Sequence, residues 1–254
     1  MSGHSKWATI KRQKGAADAK RGQMFTKLGR ELAIAAREGG PNPDTNFRLR
    51  LVVEKAKEIN MPKDNIERAI QRGAGIAKGE ALEEMIYEGY GPEGTALLVS
   101  ALTDNRNRSV AEVRRVFSRH GGNLGETGSV AWMFDRKGYL TIEPKDGNAE
   151  ELALMAIDAG AEDVKVSLDM VEVITTVEDF QKIKDTLEKQ DIEFGSAELS
   201  WIPKTTMQLD EKTTMQNMKL IDALEELDDV LQVYSNLDIT DEIMTKYEAE
   251  GKTQ

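Results

Sequence analysis

Eight cations crowd the first 30 residues: Lys6, Lys11, Arg12, Lys14, Lys20, Arg21, Lys27 and Arg30, opposed there by Asp18 alone. Between Ser2 and Gly22 small residues separate them, and little besides Trp7 and Ile10 is apolar. A mobile basic arm of this kind can follow an irregular phosphate backbone and release condensed counterions as it binds. Trp7 can stack on an unpaired base; its other reading is a ring packed on the helices that follow. The candidate nucleic-acid contacts are therefore Lys6, Trp7, Lys11, Arg12, Lys14, Lys20, Arg21, Lys27 and Arg30.

The charge of the whole chain sharpens this reading. Residues 1–75 hold 16 of the 34 Lys and Arg but 8 of the 45 Asp and Glu, a net of +8, whereas the remainder carries 18 basic and 37 acidic residues, a net of −19. A polyanion-binding segment joined to an acidic body that limits indiscriminate adsorption has this signature.

A second constellation is Thr103-Asp104-Asn105-Arg106-Asn107-Arg108, placed between an apolar strand and a helix. Asn105, Arg106 and Arg108 beside a helix N-terminus could bind an anion, since free N–H groups and the helix dipole favour negative charge there. The alternative is a polar turn in which Asp104 pairs with an arginine. The glycine-rich run Gly121–Gly128 lacks the lysine and hydroxyl order of a P-loop and reads as a mobile loop.

Catalytic chemistry finds little to work with. His4 and His120 are the two histidines, and there is no cysteine. Thiolate metal sites, disulfides and a thiol nucleophile are thereby excluded, and a histidine metal site has too few ligands. Acidic pairs such as Glu225-Glu226 and Asp228-Asp229 read as solvated surface. No catalytic residue, metal or cofactor is expected. No stretch approaches the roughly 18 apolar residues of a membrane span, so a cytoplasmic monomer without membrane contact is the expectation.

Apolar spacing supplies the elements that must position these groups. Phe25, Leu28, Leu32 and Ala35 mark a helix ended by Gly39-Gly40-Pro41; Phe47, Leu51, Val52, Ala56 and Ile59 mark a second; Pro62 opens a third, ended by Gly73. Strands follow over Met85–Tyr90 and Thr95–Leu102. Ser109 and Glu112 form a capping-box pattern ahead of a helix through Phe117, and Val130, Trp132 and Phe134 alternate as a further strand. From about Gly138 to Trp201 two βαβ halves make a ferredoxin-like βαββαβ unit. A last helix and strand, around Met218–Leu227 and Leu231–Val233, have no partner in that closed unit and are assigned to the strands before Asp135.

The fold class is thus α+β: a basic arm and three-helix bundle over 1–78, a discontinuous α+β domain over 79–135 plus 204–240, an inserted ferredoxin-like domain over 136–203, and a loosely held tail over 241–254.

Several motifs carry a resemblance: Gly3-His4-Ser5-Lys6-Trp7, Asp18-Ala19-Lys20-Arg21-Gly22, Met61-Pro62-Lys63-Asp64-Asn65, Tyr87-Glu88-Gly89-Tyr90-Gly91-Pro92, Thr103–Arg108, Gly128-Ser129-Val130 and Leu227-Asp228-Asp229-Val230. In these the chain resembles the YebC family, which includes the mitochondrial translational activator of cytochrome c oxidase. The resemblance implies three domains and a non-enzymatic role in gene expression. Some members are catalogued as DNA-binding transcriptional regulators; others act in translation on the ribosome, including relief of stalling at consecutive prolines.

The expectation is a nucleic-acid-binding regulator that contacts ribosomal RNA on the ribosome. A basic arm with glycines suits folded RNA, and no recognition helix or zinc finger for a major groove is evident. The rivals are a transcriptional regulator on promoter DNA, a phosphate-ester enzyme at Arg106 and Arg108, and a protein–protein adaptor.

Overall fold

The computed structural model describes residues 18–75, 82–145, 148–167 and 170–251. These form an α+β protein with N-terminal helices and two four-stranded antiparallel sheets. They divide into two compact units. One comprises Trp132–Gln208 and Asn236–Thr240; the other takes everything described before Trp132, together with Leu209–Ser235 and the chain from Asp241.

Helix α1 (Asp18–Gly39) starts inside the segment expected to be arm. Ala19, Lys20 and Arg21 are strong helix formers. Helices α2 (Phe47–Glu58) and α3 (Lys63–Gly73) pack against it. Leu28, Leu32, Leu49, Val52, Ala56 and Ile66 form the shared core.

Asn46 fixes the first connection. Its side-chain oxygen accepts from the Leu49 amide at 3.1 Å, capping α2, while its Nδ2 donates to the carbonyls of Ala35 and Gly40 at 2.7 Å each. Gly73 fixes the return of α3 onto α1, since a Cβ there would lie 1.9 Å from the Ala33 carbonyl oxygen. Gly73→Ala is expected to push the two helices apart at a cost of about 1–3 kcal/mol, seen as a lower urea midpoint with an unchanged m-value.

The first sheet has the order β3-β1-β2-β8, formed by β1 (Glu83–Tyr90), β2 (Ala96–Thr103), β3 (Asn123–Leu124) and β8 (Val230–Ser235). Its centre is β2, buried along nearly its whole length. The β1–β2 hairpin turns through Pro92–Gly94, where Glu93 and Gly94 both take positive φ. Helix α4 (Arg106–Arg119) packs Val113 and Phe117 inward. Helix α7 (Glu211–Glu225) buries Met218, Ile221 and Leu224.

The second sheet contains β4 (Phe134–Ile142), β5 (Asp163–Val166), β6 (Val171–Thr175) and β7 (Ser196–Pro203) in the order β5-β6-β4-β7. With α5 (Ala149–Asp158) after β4 and α6 (Phe180–Glu188) after β6, this is the βαββαβ arrangement expected from the doubled pattern.

Three local expectations are corrected. Val130–Phe134 is not a strand of the first sheet: Val130 and Ala131 give their amides to the Glu88 carboxylate, so they cannot join a ladder, and Ala131–Met133 forms a 3-10 turn. Ser109 is not the N-cap of α4, because Asn105 caps it by accepting from the Arg108 amide at 3.1 Å. Residues 241–254 are not simply a loose tail either. Helix α8 (Asp241–Gly251) buries Ile243 and Met244, and Tyr247 donates to Asp222 at 2.7 Å.

Candidate nucleic-acid interface

Of the nine residues nominated for nucleic acid, Lys6, Trp7, Lys11, Arg12 and Lys14 lie outside the described residues, and Lys20 is in α1 without a described side chain. Arg21 is exposed near the start of α1. Lys27 and Arg30 are turned to the interior of the chain's own fold.

Gln23, Lys27 and Arg30 fall at i, i+4 and i+7, one face of α1. That face meets the end of α7. Gln23 donates to the Glu226 carbonyl at 2.6 Å, Lys27 to the Glu225 carbonyl, and Arg30 to the Asp228 carbonyl at 3.0 Å. The last carbonyls of a helix have no intrahelical partner and carry the negative end of its dipole, so cations are well placed there. Two of the nominated residues thus position the bundle against the first sheet's domain.

The same turn holds Asp229, which is nearly inaccessible to solvent. Its carboxylate accepts from Arg30 at 2.9 Å, from Arg108 at 2.7 and 3.0 Å, from the Ser109 hydroxyl at 2.5 Å and from the Thr103 hydroxyl at 3.1 Å. Burial by itself pushes this carboxyl up. The bonds from Ser109, Arg108 and Thr103 outweigh it and hold the pKa below the ordinary aspartate value. The expectation that Asp228-Asp229 is solvated surface is therefore wrong for Asp229, whose partners come from sequence positions more than a hundred residues away.

Asn105, Arg106 and Arg108 are brought together, each with an intramolecular partner. Asn105 caps α4; Arg106 pairs with Glu83; Arg108 bridges Asp104, at 2.8 Å, and Asp229. Three carboxylates thus occupy the guanidiniums that could have met an external anion.

Glu88 organises the glycine-rich segment. It is buried and accepts from the amides of Gly128, Val130 and Ala131 at 2.6, 2.8 and 2.7 Å. Burial raises its pKa, but the three backbone donors prevail and leave it below the ordinary glutamate value. Tyr90 adds a bond to the Ser129 carbonyl at 2.9 Å, and the Gly125 amide donates to the Glu88 carbonyl at 2.8 Å. The loop read as mobile is tied at its second half. Glu88 and Tyr90, two residues apart and so on one face of β1, were the available signal.

Among the described residues no group of three His, Cys, Asp or Glu could hold a metal ion, and no helix is long and apolar enough to cross a membrane.

Comparison with known proteins places this geometry. The model of the TACO1/YebC protein N-terminal domain matches residues 5–76, and that of the TACO1/YebC second and third domain matches residues 82–237. The chain belongs to the TACO1/YebC family. A "probable transcriptional regulatory protein" of Dehalococcoides mccartyi strain 195 is 53% identical over 251 residues, covering 99% of this chain and 100% of the relative. One of that same name from Herpetosiphon aurantiacus is 52% identical over 252 residues, covering 99% and 100%. The crystal structure of a conserved hypothetical protein from Aquifex aeolicus matches with a TM-score of 0.81 at 50% identity, covering 88% of this chain and 93% of that one. In this TACO1/YebC chain the sequence motifs meet pairwise in space: Thr103–Arg108 joins Leu227–Val230 at Asp229, and Tyr87–Pro92 joins Gly128–Val130 at Glu88.

Proposed function

We propose that the chain is a non-enzymatic RNA-binding regulator of gene expression that acts in translation on the ribosome. It works in the cytoplasm as a monomer, without metal or cofactor, and ribosomal RNA is its contact. The observation that carries this reading is the division of charge: +8 in residues 1–75 against −19 in the rest. The N-terminal cations Lys6, Lys11, Arg12, Lys14, Lys20 and Arg21 engage phosphates, Trp7 meets an unpaired base, and the net acidity of the other domains limits indiscriminate adsorption. Lys27 and Arg30 hold the bundle in place behind that contact. The family resemblance supplies the specific role, relief of stalling at consecutive prolines.

Asn105, Arg106 and Arg108 act as a structural joint. The carboxylates of Glu83, Asp104 and Asp229 already neutralise the two arginines, which speaks against a phosphate-ester site there. A second reading, regulation at promoter DNA, is favoured by the name that the bacterial relatives carry.

Equilibrium competition separates the two. On the RNA reading, the intact protein prefers structured ribosomal RNA to duplex DNA of matched length at the same salt. A promoter complex that survives added salt and competitor, and exceeds every RNA complex, would establish the DNA reading instead.

A further inference from the structure

One helix in the acidic part of the chain is basic. Residues 76–254 hold 18 Lys and Arg against 37 Asp and Glu, yet the 14 residues of α4 contain five of those cations, Arg106, Arg108, Arg114, Arg115 and Arg119, and a single acid, Glu112.

Helix geometry sorts the five. Ser109, Val113 and Phe117 face the core, which turns Arg114, Arg115 and Arg119 outward. All three are exposed, and none takes part in a hydrogen bond or ion pair among the described residues. Arg106 and Arg108 differ in being held by carboxylates.

Arg108, Arg115 and Arg119 fall at i, i+7 and i+11, a single row about 16 Å long at 1.5 Å per residue. Arg115 and Arg119 are like charges one turn apart, an arrangement that repels in an isolated helix. Neither side chain serves the core. Arg108 also shares Asp229 with Arg30 of α1, so the row on α4 begins where the basic first helix meets this domain. An exposed guanidinium fork matches the oxygens of a phosphate.

We infer that the outer face of α4 is a second phosphate-binding surface for the RNA that the N-terminal cations engage, with Arg114, Arg115 and Arg119 making the contacts. The inference rests on the RNA reading proposed above and adds to it a surface on the acidic part of the chain. Two anchors on different elements would fix the orientation of the protein on folded RNA, which a single contact cannot do.

The test uses the full-length chain and purified ribosomal RNA, titrated between roughly 50 and 200 mM salt. Arg114→Ala/Arg115→Ala/Arg119→Ala is compared with Lys145→Ala/Lys182→Ala/Lys189→Ala, which removes the same charge from exposed positions on the other compact unit. Far-ultraviolet circular dichroism checks that both variants stay folded. The α4 variant is expected to bind more weakly, with a log–log salt slope smaller in magnitude by about 2, three contacts at roughly 0.7 each; the lysine control keeps the original slope. A wild-type slope in the α4 variant, or an equal loss in the control, overturns the inference. Neutralising the six N-terminal cations in parallel distinguishes the two levels. If that variant loses RNA binding while the α4 variant does not, only the second surface fails; if intact protein shows no preference for RNA, the underlying reading fails as well.

Discussion

Asp229→Ala is expected to destabilise the protein by roughly 2 kcal/mol or more, chiefly through the buried hydroxyl partners, since the partly exposed arginines are left to solvent. Arg30 and Arg108 would lose their shared carboxylate, and the hydroxyls of Thr103 and Ser109 would lose their acceptor. The loss also loosens the first helix from the turn after α7. Asp229→Asn keeps the shape and should cost less. The pH dependence follows from the depressed pKa. A carboxyl whose folded pKa lies below its unfolded value of about 4 contributes stability above that value, and the contribution disappears as pH falls through the folded pKa. Urea midpoints measured from pH 7 downward should therefore fall on acidification in the wild type, and fall less in Asp229→Asn. Parallel curves for the two would show that Asp229 is not the titrating group.

Glu88→Ala is expected to cost roughly 1–3 kcal/mol, since the buried Val130 amide loses its acceptor, while the part-buried amides of Gly128 and Ala131 lose theirs with water able to replace it. The damage should be local first. Amide exchange in residues 125–131 should accelerate, while the buried amides of β2 stay protected. Uniform acceleration through both would mean that Glu88 supports the whole domain rather than this segment.

The elements were legible wherever apolar spacing alone decided them. Leu28, Leu32, Val52 and Ile66 marked the bundle, and the doubled strand–helix–strand pattern from β4 to β7 gave the ferredoxin-like arrangement. Helix α8 was not legible, because its apolar content is little more than Ile243 and Met244 in a polar sequence; its hold comes from Tyr247 reaching Asp222. The strand read through Val130, Trp132 and Phe134 has the correct alternation, but of the three only Phe134 lies in a strand, at the start of β4. What defeats it is Glu88, 42 residues earlier, which takes the Val130 amide.

The candidate site divides along a similar line. Net charge and the crowding of cations near the N-terminus are properties of composition and can be read directly. Which cations turn inward is not. Nothing in the sequence distinguishes Lys27 and Arg30 from the other N-terminal cations, and the approach of α7's C-terminus is what occupies them. Arg106 and Arg108 suggested an anion, and the anions turn out to be Glu83, Asp104 and Asp229 of the same chain. Arg114, Arg115 and Arg119 drew no notice because their significance depends on which face of α4 is buried.

The central claim is that the N-terminal cations carry the contact with RNA, and the salt dependence of binding tests it most directly. Replacing Lys6, Lys11, Arg12, Lys14, Lys20 and Arg21 together by alanine should leave the buried core untouched while binding to ribosomal RNA weakens. Each lost phosphate contact lowers the magnitude of the log–log salt slope by roughly 0.7 to 0.9, so the loss of all six reduces it by about 4 to 5. A slope unchanged by the six substitutions would remove this segment from the mechanism and contradict the account.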